Sequence, residues 1–121
     1  MEIYSFDATT ARPVTQFGSA FSITHLLRLD GQLGIMSCAR LNSNGRIGLH
    51  PAAAPQLLFV MEGHGWVRGR SGHASRIEAG QAAFWETGEE HETWTDDGLV
   101  AVIVEGPGVN PSFLMSRAQR A

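Results

Sequence analysis

The chain has 121 residues, 43% apolar and 17% charged, which is enough to build one hydrophobic core and too apolar for a disordered chain. Its net charge is −3, and all nine basic residues are scattered arginines with Arg68 and Arg70 the closest pair, so nucleic acid is not an expected partner. No apolar run approaches the ~18 residues that cross a bilayer, and no basic segment leads into an apolar one at the N-terminus, so no membrane partner and a cytoplasmic address are expected.

Fourteen glycines punctuate short apolar segments, and no segment holds a helical period over three turns, which is the rhythm of a barrel or sandwich. Residues 1–18 read as an N-terminal arm with a weak strand over Glu2 to Phe6. From Ala20 to Leu29 the alternation places Phe21, Ile23, His25, Leu27 and Leu29 on one face. Asp30-Gly31 signals a turn, and Gly34 to Leu41 is the next strand, carrying the lone Cys38. A single cysteine excludes an internal disulfide and a Cys-rich zinc site, and it is expected as a small buried hydrophobe. Asn42-Ser43-Asn44-Gly45 is a hairpin loop, since Asn and Gly tolerate positive φ.

Arg46 to His50 follows, ended by Pro51. Gln56 to Glu62 is dense enough in apolar residues for a central strand. Gly63-His64-Gly65 reads as a tight turn into Trp66-Val67-Arg68. Ala74 to Glu78, Gln81 to Glu86, Glu89 to Thr95 and Leu99 to Glu105 are further strands. Residues 107–121 form a tail in which Ser112 to Arg120 fits a short strand or a helix. With no internal repeat and no boundary signal, residues 1–121 read as one all-β domain of closed or double-sheet architecture, which also protects strand edges.

Two spacings stand out. Gly80 is followed by five residues, then Glu86-Thr87-Gly88, two glutamates and His91, with Thr95 four residues on. His50 is followed at two residues by Ala52, at six by Gln56, and Gly63 closes the run. This pattern resembles the two motifs of the cupin family, and the resemblance implies a jelly-roll β-barrel (double-stranded β-helix). Glu86 stands where the family has proline, Thr95 where it has asparagine, Ala52 where it has a second histidine, and Gln56 where it has glutamate.

In metal-binding cupins the histidines and the glutamate of these motifs hold a divalent metal inside the barrel. Carried over by position, His50, Gln56 and His91 remain as metal ligands, with His25 a further candidate for the vacancy at Ala52. Positions 50 and 52 share a strand face, so Ala52 removes a donor that would face the cavity. Gln56 brings a neutral oxygen in place of a charge, which weakens the attraction for a dication. Zinc, nickel, iron and manganese all suit such donors, and ligand type alone does not choose among them.

Leu58, Val60, Phe84 and Thr93 are read as lining the substrate pocket. Alternation from Phe84 turns Glu86 toward the cavity mouth as a candidate catalytic acid–base, while Glu89 and Glu90 read as a solvated loop and Glu92 points away from His91. Recognisable Ser-His-Asp, GxGxxG, P-loop and paired-cysteine patterns are absent. The resemblance thus implies a small-molecule-binding barrel with a weakly held divalent metal, within a family range that includes isomerases and dioxygenases of oxygen-rich substrates. A metal-free, non-catalytic ligand-binding or sensor barrel stands beside it, favoured by Ala52. The resemblance also implies a homodimer in which the N-terminal strand adds to a neighbouring sheet.

Overall fold

The computed structural model describes residues 1–29, 34–111, 115 and 117. The Asp30-Gly31 turn and most of the Ser112 to Arg120 tail lie outside the described residues. Nine strands are present among them: β1 (Arg12–Val14), β2 (Phe21–Leu29), β3 (Gly34–Leu41), β4 (Arg46–Pro51), β5 (Gln56–Arg68), β6 (Ser75–Glu78), β7 (Ala82–Trp85), β8 (Glu90–Trp94) and β9 (Leu99–Glu105). Two single 3₁₀ turns, Ala8–Thr10 and Gln16–Gly18, flank β1. No described helix is long and apolar enough to cross a membrane.

All pairings are antiparallel, in the order β1-β2-β3-β9-β5-β8-β4, with β6 and β7 also on β5. The layers are joined by β5. Its first half, Gln56 to Gly63, pairs with β9 and its opening residues pair with β7, whereas His64 to Arg68 pairs with β6 and β8. The expected tight turn at Gly63-His64-Gly65 is therefore a bend inside one continuous strand. Gly63 adopts φ +78°, and a Cβ there would stand 2.3 Å from the Gly98 carbonyl oxygen. Only a residue without a side chain lets the strand change sheets at that point. A bridge between Ala20 and Arg46 ties the start of β2 to β4 and closes the curl.

The core sits between the layers. Ala39, Leu41, Leu58, Val60, Leu99 and Ala101 come from β3, β5 and β9, and Ile47, Val67, Ile77 and Trp85 complete it. These positions alternate along β-branched and aliphatic strands as a half-buried sheet demands. Burying a side chain such as Leu58 contributes about 1.5–3 kcal/mol relative to exposure. Cys38 is a free, buried thiol, as expected.

Two expectations are corrected here. Residues 2–6 form no strand; the first strand is Arg12–Val14, and Met1, Ile3, Tyr4 and Phe6 lie exposed. The common face proposed for β2 is broken by a bulge between His25 and Leu27, where the partners step only from Ser37 to Met36. The extra residue moves Leu27 and Leu29 to the outside, and both are exposed.

Candidate functional site

His50 lies near the end of β4 and His91 near the start of β8, and the two are direct partners across the ladder. Their ring centroids are 4.4 Å apart at an interplanar angle of 48°. The segments that the sequence separates by forty residues thus meet in one place. The phase of His50 is set by a bulge between Ile47 and His50, opposite the regular step from Thr93 to His91. Plain alternation from the buried Ile47 would put Leu49 inward. The inserted residue puts Leu49 outside, where it is exposed, and brings His50 into line with His91.

Both imidazoles are held by backbone carbonyls. His50 Nδ1 is 2.6 Å from the Gly48 oxygen and His91 Nδ1 is 3.0 Å from the Glu89 oxygen. A carbonyl oxygen only accepts, so in each ring Nδ1 carries the hydrogen and the neutral form leaves its lone pair on Nε2. His91 is 2% exposed, and its Nε2 is buried with no hydrogen-bond partner. Burial holds the His91 imidazole below its ordinary range; the Glu89 carbonyl and the charges of Glu105 and Glu89 pull it upward, and His50 pushes it down again. A neutral, unpartnered nitrogen is thereby aimed into the interior.

Aromatic rings continue the contact on both sides. Trp85, buried at the end of β7, packs on His91 with centroids 4.6 Å apart. Phe17 lies nearly parallel to His50 at 4.8 Å. It sits in a 3₁₀ turn with φ +59°, a left-handed conformation uncommon for an aromatic residue. Gly48 lets that turn approach, since a Cβ there would fall 1.7 Å from the Phe17 carbonyl oxygen. The Gly48 N–H also donates to Ser19 Oγ at 2.9 Å, which pins the turn to β4.

Gln56 opens β5 between Trp85 of β7 and Glu105 of β9. It is buried, and its Nε2 donates to Glu105 Oε2 at 2.7 Å. Glu105 was not foreseen. It ends an aliphatic strand, and only the register of β9 on β5 places it beside Gln56. The contact of Trp85 with His91 follows from the phase of β7. The buried Leu58, Val60 and Thr93 belong to the interior, with Thr93 opposite both Ile47 and Val67.

Three other candidates fall elsewhere. Because Trp85 is the inward residue of β7, its neighbours Phe84 and Glu86 have the opposite phase. Phe84 therefore does not share the face of Trp85. The Glu86 side chain is 67% exposed, with Arg70 Nη1 3.6 Å from its carboxylate, and it is not turned into the barrel. His25 is exposed, with Nδ1 2.9 Å from Ser37 Oγ, and it does not fill the vacancy at Ala52. Ala52 itself is buried and exchanges backbone hydrogen bonds with Gly88 and Glu89. Glu89 proves to organise its loop, its carboxylate accepting from the N–H groups of Arg70 and Glu86. Glu92 points away from His91 as expected, and it meets Arg46 and Arg68.

Among the described residues no three His, Cys, Asp or Glu side chains converge to hold a metal ion. The donors at this end of the barrel are two imidazole lone pairs and the Gln56 amide oxygen. The orphaned His91 Nε2 fits a nitrogen-loving divalent ion or a hydrogen-bond donor on a ligand. A surface cavity of about 500 Å³ lies at the other end of the strands, lined by residues such as Asn42, Glu62 and Asp97.

The polyketide cyclase RemF from Streptomyces resistomycificus superposes with a TM-score of 0.73 over 91% of this chain and 83% of its own, at 18% identity. The fold is that of the cupins. A predicted oxalate decarboxylase from Thermotoga maritima gives a TM-score of 0.70 at 20% identity, covering 78% of this chain and 90% of that one. A cupin 2 conserved barrel domain protein from Salinispora arenicola gives 0.69 at 17% identity, covering 86% and 87%. No family model matches the sequence, and no curated protein does. At such identities the likeness establishes the cupin double-stranded β-helix and leaves the chemistry to this chain's own residues.

Proposed function

We propose that this cupin binds a small, oxygen-rich molecule at the His50–His91 end of the barrel, beside a weakly held divalent metal. The observation that carries the reading is the buried, unpartnered Nε2 of His91, standing next to a second imidazole with the same tautomer. A buried nitrogen without a partner costs about 1–3 kcal/mol unless an occupant satisfies it, so the arrangement favours one.

His50 and His91 would hold the metal through Nε2, with the Gln56 oxygen completing the protein's share. Bound there, zinc, nickel, iron or manganese would supply Lewis acidity, polarising an oxygen of the ligand. The protein's own contribution is orientation. The Gly48 and Glu89 carbonyls fix the two rings, Trp85 and Phe17 hold them from either side, and the apolar wall of Leu58 and Val60 excludes water. Isomerase-like and dioxygenase-like reactions both lie within the range of such a site.

A metal-free binding or sensor barrel is the second reading. Ala52 favours it, because a buried methyl group stands where a further donor would be needed. Metal analysis of protein purified without chelator or nickel resin separates the two. Near-stoichiometric metal that is lost in the His50→Ala, His91→Ala double variant supports the first. Wild-type protein with less than about a tenth of an equivalent supports the second, since a site with the three protein donors usual for catalytic zinc would keep its metal through purification.

The chain is further proposed to form a homodimer through its N-terminal arm. The exposed Met1, Ile3, Tyr4 and Phe6 support this, as apolar side chains gathered on an arm that forms no strand of its own.

A further inference from the structure

We propose that Gln56 and Glu105 act as one unit, in which Glu105 is a positioning residue that fixes the Gln56 amide and supplies the negative charge of the site. The proposal rests on the metal-holding reading above and assigns the carboxylate that reading lacks.

The geometry is specific. Glu105 is the last residue of β9 and lies opposite Gln56 in the ladder, between Ile35 on one side and β5 on the other. Gln56 is buried and Glu105 half-buried. An ionised carboxylate has no hydrogen to donate, so the Gln56 group within 2.7 Å of Glu105 Oε2 is the NH₂ end. The amide is planar. Its oxygen is therefore turned away from Glu105 and offered as an acceptor.

Without that anchor either end of the amide can face the occupant, and an NH₂ group repels a cation. A carboxylate hydrogen-bonded to a ligand residue orients it and raises its donor strength. With Nδ1 of each ring turned to a backbone carbonyl and the Gln56 NH₂ turned to Glu105, the site presents the Nε2 atoms of His50 and His91, the Gln56 oxygen and the Glu105 carboxylate as acceptors. An occupant brings positive charge or hydrogens: a divalent cation, or a ligand rich in hydroxyl groups.

Calorimetric titration with Zn²⁺ alone tests this on the full chain, comparing wild type with Glu105→Gln, with the exchanged pair Gln56→Glu/Glu105→Gln, and with His50→Ala/His91→Ala. Glu105→Gln keeps shape and volume but removes the charge and the fixed amide, and is expected to weaken Zn²⁺ binding by about tenfold or more. The exchanged pair rebuilds the same hydrogen bond with donor and acceptor reversed. It restores the pair's single negative charge and is expected to recover affinity to within about threefold of wild type. Affinity unchanged in Glu105→Gln, or no recovery in the exchanged pair, overturns the inference while leaving the histidine site standing if His50→Ala/His91→Ala abolishes binding. Wild-type protein that takes up no Zn²⁺ overturns the site reading and this inference together.

Discussion

His50 faces His91 directly across β4 and β8, and it does so because β4 carries one residue more than β8 between Ile47 and His50. The 4.4 Å contact of the two tilted rings therefore depends on a backbone irregularity at Gly48 and Leu49. The same irregularity receives the Phe17 turn. Ring pair, bulge and turn form one mechanical unit.

Gly48→Ala tests that unit. A Cβ at position 48 would meet the Phe17 carbonyl oxygen at 1.7 Å, so the turn must move. The expected cost is about 1–3 kcal/mol, the range of overpacking changes, read from urea midpoints. The ring resonances of His50 should shift with the loss of Phe17 stacking. A variant as stable as wild type with unmoved His50 signals would show that the turn is not seated on β4.

The stability of the protein should fall as pH drops below the ordinary imidazole range. His91 is held below its usual titration by burial, so between pH 6.5, the ordinary value, and its lower folded value the unfolded chain binds more protons than the native one. Stability attributable to His91 is complete above that range and declines on acidification. Urea unfolding at a series of pH values measures the slope, and His91→Gln should flatten it. An equal slope in the variant would place the pH dependence elsewhere.

On the outer face of β8 the buried Glu92 is gripped by Arg46 and Arg68, with Arg68 Nη2 2.5 Å from Oε1, and both guanidiniums lie over Trp94. Glu92→Gln leaves two arginines facing each other without their carboxylate. Since both arginine side chains are more than a third exposed, solvent screens part of the penalty, and a loss of about 2 kcal/mol is expected rather than the larger figure for a fully buried pair. Thermal unfolding checks it; an unchanged midpoint would show the triad to be energetically idle.

Removal of residues 1–6 addresses the arm. If Ile3, Tyr4 and Phe6 dock on a second copy, the truncated chain should sediment as a monomer at concentrations where the full chain is a dimer. A truncated chain that remains dimeric would refute arm exchange.

Much was legible in the residues themselves. Glycine and asparagine mark where the chain must turn, and Asn44, with φ +62°, does so inside the predicted hairpin loop. The aliphatic run Leu99 to Glu105 and the dense Gln56 segment became the two central strands. The spacing of His50, Gln56 and Gly63, and of Gly80, Gly88 and His91, was enough to indicate the cupin double-stranded β-helix and the pair of segments that meet within it.

What alternation cannot supply is phase. A period of two has two equally regular readings, and one inserted residue exchanges them without leaving a mark in composition. The bulge in β2 turned Leu27 and Leu29 outward, the bulge in β4 turned His50 inward, and β7 chose Trp85 over Phe84 and Glu86. Glu105 reached Gln56 through strand register alone, across 49 positions of sequence. Strand identity is local chemistry and is written in the chain; which side chains share a cavity is decided when the ladders close, because only then does each strand's phase become fixed against its neighbours.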